Sequence, residues 1–174
     1  ITGVALMMLF EEGKFKLSDP VAMYLPELAN LQVALSTAET GSTSNGIVTR
    51  SHGQTDESLI GQTRQPAPQP TIRDLMLHTA GFTYGVFGDT EVDRLYNQLR
   101  AKGDMSLEQY VIELGKLPLQ YEPGAKWHYS ISVDIQGRLI EVLSGMKFSD
   151  FLQQRIFAPL DMADTSFVVP VEKR

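Results

Sequence analysis

The sequence predicts a mainly helical globular chain, and three observations carry that expectation. Apolar residues recur at helical spacing in several stretches, helix-capping residues precede most of them, and only SFVVP at 166–170 has the make-up of a strand. Composition sets the outer bounds. A chain of 174 residues that is 43% apolar and 21% charged holds enough apolar material for one core. Its net charge of -6, without any basic run, offers no footprint for nucleic acid or an anionic membrane. The absence of Cys excludes disulfides and thiolate chemistry. No apolar run approaches the ~20 residues that cross a bilayer.

The opening ITGVALMMLFEE places Ile1, Val4, Ala5, Met8 and Leu9 on one helical face, while Leu6, Met7 and Phe10 fill much of the rest. This predicts a helix buried on most sides, stopped by Gly13. It begins without a lead-in, which implies sequence upstream of Ile1. Asp19-Pro20 predicts a short helix with Asp as cap and Pro in its first turn, closed by Pro26. Residues 36–70, rich in Ser, Thr, Gly, Gln and Pro, read as a loop or hairpin excursion that pairs LQVAL with GIVT.

Beyond the excursion the punctuation is regular. Thr71 and Asp74 stand at capping-box spacing before LMLH, and the helix should stop near Gly81. Val92, Leu95, Tyr96 and Leu99 make one face of a helix over 89–102, and Ser106 and Gln109 open another that ends at Gly115. After the Pro123-Gly124 turn, Ile135, Leu139 and Val142 line a helix near 132–143, broken by Gly145. Ser149 is the expected cap of a last helix that ends before Pro159.

The chemistry is sparse. His52, His78 and His128 lack metal-ligand spacing, so neither a metal nor a cofactor is expected, and the carboxylates read as a solvated surface. Ser144-Gly145-Met146-Lys147 matches S-x-x-K, a spacing that places an amine within reach of a serine hydroxyl on one helical turn. Twelve Ser and seven Lys give about half of one such match by chance. Gly145 also interrupts the helix the motif needs, so a helix-ending loop is the better reading.

Four segments in order, LFEEGKFKLSDPVAMYLPE, TIRDLMLHTAGF, EPGAKWHYSISVDIQGRLIEVLSG and FLQQRIFAPLDMADTSF, resemble the signature segments of the β-lactamase-like serine hydrolases. That superfamily holds class C β-lactamases, D-alanyl-D-alanine carboxypeptidases and family VIII carboxylesterases. The resemblance implies an α/β parent in which a helical domain packs on an antiparallel sheet. Residues 1–170 would be the helical portion and 165–174 the entry to the sheet. It also implies that the nucleophilic S-x-x-K lies just upstream of Ile1, and that Tyr129 takes the place of the tyrosine in the family's Tyr-x-Asn element.

A tyrosine phenol holds its proton at neutral pH unless a neighbouring cation stabilises the phenolate, and in the family the lysine does so. The resemblance thus gives Tyr129 the role of general base. Where the element has Asn, this chain has Ile131, which cannot hydrogen-bond a substrate amide. That departure is similar to the family VIII esterases and implies a small-molecule ester, ahead of a β-lactam-like one, as substrate; a non-catalytic relative is the rival from another class. Trp127, the only Trp, is either a wall of the acyl pocket or a packing residue, and Tyr84 and Phe87 are candidates for its rim. His78 is expected to fix a turn by hydrogen bonding. Localisation stays open, because a signal peptide would lie upstream.

Overall fold

The computed structural model describes residues 1–35, 63–66, 68–169 and 171–173. Six α-helices are found among them: α1 (Thr2–Glu11), α2 (Ile72–Leu77), α3 (Glu91–Ala101), α4 (Leu107–Leu114), α5 (Ser132–Ser144) and α6 (Phe148–Leu152). Strands among the described residues are limited to the antiparallel pair β1 (Val33–Ala34) and β2 (Thr63–Arg64), in register Val33 to Arg64. The chain is therefore mainly helical, as its periodicity predicts. No described helix is long and apolar enough to cross a membrane.

Helix α5 is the hub, packed against α1, α2, α4 and α6. Ile135, Leu139 and Ile140 are its fully buried aliphatic side chains, and they meet a core that includes Leu6, Leu9, Ile72, Leu75 and Phe151. Each such aliphatic side chain contributes about 1.5–3 kcal/mol by leaving water. Val142 is exposed, because the buried face of α5 turns through Gln136 and Ile140 instead. Likewise α1 buries one face, Ala5, Leu6 and Leu9, and leaves Ile1 and Val4 exposed.

Side-chain caps set the starts of α2, α3 and α4. Thr71, Thr90 and Ser106 each close a reciprocal box with the residue three positions on, Asp74, Asp93 and Gln109. The Thr90–Asp93 box adds one to the two read from the sequence. Helix α6 starts after Lys147, not Ser149, and runs on as a π-helical turn over Gln153–Phe157. Pro20 precedes a 3₁₀ turn (Val21–Met23) and Pro26 opens a second (Pro26–Leu28), so neither belongs to an α-helix. Asp19 accepts instead from Lys16 N and Tyr24 OH.

Within the excursion, the described partner of β1 is β2, and Val33 also bridges Leu119. Its expected partner, GIVT at 46–49, lies outside the described residues, as does His52. Residues 166–169 are irregular, with Phe167, Val168 and Val169 exposed, and make no strand pairing among the described residues. Strand-forming side chains need a ladder to join, and the described residues offer none there.

Candidate active site

The site is built on one chain reversal. Helix α2 ends at Leu77, and His78 takes the left-handed conformation (φ 55°), its N–H bonding back to Asp74 O and Leu75 O. Thr79 Oγ1 donates to Asp74 Oδ1 at 2.8 Å, so the capping carboxylate secures both ends of the short helix. Residues 78–83 then run beside 119–131. Gln120 and Tyr121 donate to Gly81 O, Gly124 N to Thr79 O, His128 N to His78 O, and Ile131 N to Thr83 O. Gly81 permits this approach: with φ +90°, an added Cβ would stand 2.1 Å from Tyr121 O.

This backbone pairing gathers side chains from distant sequence positions. The Tyr129 ring lies 4.9 Å from His78, 5.7 Å from Tyr84 and 5.8 Å from Phe87, and Trp127 meets His78 edge-on at 6.4 Å. Four of the five residues singled out in the sequence, Trp127, Tyr129, Tyr84 and Phe87, thus share one aromatic cleft. Tyr129 remains 44% exposed, Trp127 65% and Phe87 68%, so the cleft is an open platform and not a packed core.

Ile131, the fifth, is only 1% exposed. It helps line a cavity of about 380 Å³ together with Tyr84, Arg100, Met105, Tyr110 and Asp134. Arg100 stands over the Tyr84 ring at 5.4 Å. Burial raises Asp134 above the usual carboxylate range, and burial with the nearby Asp134 charge pushes Tyr110 up to about 12.

Two features were missed in the sequence. Asp93, read as a surface carboxylate, is 1% exposed and accepts from Thr83 Oγ1 at 2.5 Å and from Thr90 Oγ1 at 2.7 Å. Burial pushes its carboxyl up, but the bonds from Thr83 and Thr90 and the charge of His128 outweigh this and leave it below the usual range. Thr83 Oγ1 also lies 3.3 Å from His128 Nε2 and accepts from Gly85 N. The network ties the loop bearing Tyr84 and Phe87 to the segment bearing Tyr129, and the T-x-x-D spacing at 90–93 was its one visible signal. The second feature is the place of His78 directly against Tyr129.

Ser144 behaves as the loop reading expects. Its hydroxyl donates to Ile140 O at 2.6 Å and accepts from Met146 N, which commits it to ending α5.

The Beta-lactamase family model matches residues 1–174. The chain belongs to the Beta-lactamase family. It is 30% identical over 167 residues to the lovastatin esterase of Penicillium rubens, covering 96% of this chain and 37% of that protein. It is 27% identical over 169 residues to the monacolin J acid methylbutanoyltransferase of Aspergillus terreus, covering 96% and 35%. In structure it is similar to the simvastatin synthase LovD of Aspergillus terreus, with a TM-score of 0.63 and 25% identity over 92% of this chain and 35% of that one. The fold is shared also with EstCE1, a hydrolase with promiscuous acyltransferase activity (TM-score 0.66, 24% identity, 92% and 35%). The chain spans little more than a third of the length of these relatives. The superfamily is that of the β-lactamase-like serine hydrolases, an enzyme family, and the helix-rich architecture fits it.

Proposed function

We propose that the protein carrying this chain is a serine carboxylesterase that works through an acyl-enzyme, with Tyr129 as general base. The observation that carries the choice of ester over β-lactam is Ile131. A buried aliphatic side chain stands where the family's amide would, so the position offers no donor or acceptor to a substrate amide. The 30% identity to a lovastatin esterase supports the same choice.

In this reading the serine and lysine come from sequence upstream of Ile1. The lysine charge favours the Tyr129 phenolate, which takes the serine proton as the hydroxyl attacks the ester carbonyl and passes it to the leaving alkoxide. Tyr129 then takes a proton from the water that cleaves the acyl-serine. The 44% exposure of its ring leaves the phenol open to a substrate. Trp127, Tyr84 and Phe87 supply the apolar walls that hold a short acyl or alkyl group. A second reading, acyl transfer to an alcohol in place of water, draws on the transferase relative.

The test uses the full-length protein on p-nitrophenyl butyrate and on nitrocefin. Ester hydrolysis should dominate, and Tyr129→Phe should lower kcat on the order of 100-fold, the scale of general acid–base catalysis. A dominant nitrocefin rate refutes the esterase reading, and an unchanged Tyr129→Phe rate removes Tyr129 from the chemistry.

A further inference from the structure

We propose that His78 is the positioning residue of this site, its neutral imidazole fixing Tyr129 by accepting the Ser130 amide at Nδ1 and lying against the phenol ring. The inference rests on the role proposed above for Tyr129. Two hydrogen bonds bracket residue 129, and both end on His78: His128 N to His78 O at 2.9 Å, and Ser130 N to His78 Nδ1 at 3.2 Å. The backbone N–H groups of the two residues that flank Tyr129 are thereby held by one residue. Its remaining side-chain freedom is limited by the rings of His78, Tyr84 and Phe87.

A turn-forming role alone does not account for the histidine. The left-handed position at the end of a helix favours Gly or Asn, and the backbone bonds of residue 78 could be made by any residue. The ring does what the backbone does not. Because Ser130 N–H donates to Nδ1, that nitrogen carries the lone pair and the proton resides on Nε2. Ser130 Oγ lies at 3.2 Å from the same nitrogen and 2.8 Å from Ser132 Oγ. Ser130 is only 2% exposed, so water cannot replace the imidazole as its partner.

Protonation would break this arrangement, because an imidazolium presents N–H to N–H at Ser130. Burial already holds His78 below the usual histidine value, which keeps the accepting form at neutral pH. The titratable groups on the packed elements are engaged elsewhere. Asp74 of α2 binds Thr71 and Thr79, Lys126 stands over the Tyr121 ring, and His128 turns to Thr83 and Asp93. Asp134 of α5 faces the separate cavity, the Tyr129 ring lies against His78, and the Tyr84 ring lies against Tyr129.

Two variants and one spectrum test the assignment. In the full-length enzyme, His78→Phe keeps a ring beside Tyr129 and removes the acceptor. Its kcat on p-nitrophenyl butyrate should fall about 10- to 100-fold with KM within about threefold, the cost of a misplaced catalytic group. His78→Asn tolerates the left-handed backbone and offers an oxygen to Ser130 N. It should recover most of that loss and lack the fall in kcat expected of wild type as pH drops below 6.5. A wild-type kcat in His78→Phe, an equal loss in both variants, or an unaltered acid limb in His78→Asn overturns the proposal. Long-range ¹H–¹⁵N correlation on the full-length protein reads the ring without turnover: Nε2–H supports it and Nδ1–H overturns it. A full-length protein that hydrolyses no ester overturns only the esterase reading, and the tautomer then decides the part of His78.

Discussion

Removal of the Thr83 hydroxyl should destabilise the chain and should be coupled to Asp93. Thr83 and Asp93 are both 1% exposed and joined by a 2.5 Å bond to a charged acceptor. Bonds of that type contribute about 1.5–3 kcal/mol net. Thr83→Val keeps the shape, loses this bond and strips Gly85 N of its acceptor, for an expected cost of about 2–3 kcal/mol. Asp93→Ala loses the same bond and the α3 capping box, worth about 1 kcal/mol, and leaves Thr90 N and Thr90 Oγ1 without their acceptor. Its cost should reach about 3–5 kcal/mol.

The double variant should cost less than the two single costs together by about 1–2 kcal/mol, because the shared bond is lost once. The lower end applies if His128 Nε2, 3.3 Å from the hydroxyl, becomes an acceptor by switching tautomer when Asp93 is gone. Urea unfolding of all four proteins, followed by far-ultraviolet circular dichroism at pH 7, gives the cycle. Additivity within about 0.5 kcal/mol would refute the proposed tie between the aromatic loop and Asp93.

Gly81→Ala forces a Cβ to 2.1 Å from Tyr121 O at φ +90°, whereas Gly13→Ala, at φ +71°, meets nothing within 4 Å. The second should cost about 1 kcal/mol and the first at least about 2 kcal/mol more in the same urea assay; equal costs would refute the close approach. Burial lowers both His78 and His128, so below pH 6.5 the unfolded chain binds more protons and stability should fall from pH 7 to pH 5. Asp93, held low, should add a further loss only as pH falls below 3.8, and the urea midpoint at each pH checks both steps. Tyr24 and Tyr110 are pushed up to about 12, so the folded chain keeps protons that the unfolded chain releases near 10. Stability should therefore fall between pH 10 and 12, and Tyr24→Phe should remove part of the 295 nm absorbance step near pH 12.

The sequence by itself determined the local features of this protein. Capping boxes at Thr71 and Ser106, the stop at Gly145 and the helical spacing of Ile135 and Leu139 are chemistry between residues a few positions apart, and the helices appear where that chemistry puts them. The ordered motifs likewise pointed to the family and to Tyr129, Trp127, Tyr84 and Phe87. Burial and partnership were decided by the tertiary structure. Asp93 and Glu91 look alike in sequence, yet only the first is buried, because Thr83 arrives from another segment. Val142 has the period of the core face and misses it by the rotation of α5. Val168 and Val169 have strand propensity but no ladder among the described residues. His78 and Ser130 are 52 positions apart, and only the backbone pairing of 78–83 with 119–131 turns a turn-forming histidine into the support of Tyr129. A hydrogen bond across that separation leaves no periodic trace in the chain, so it becomes visible only once both segments are in place.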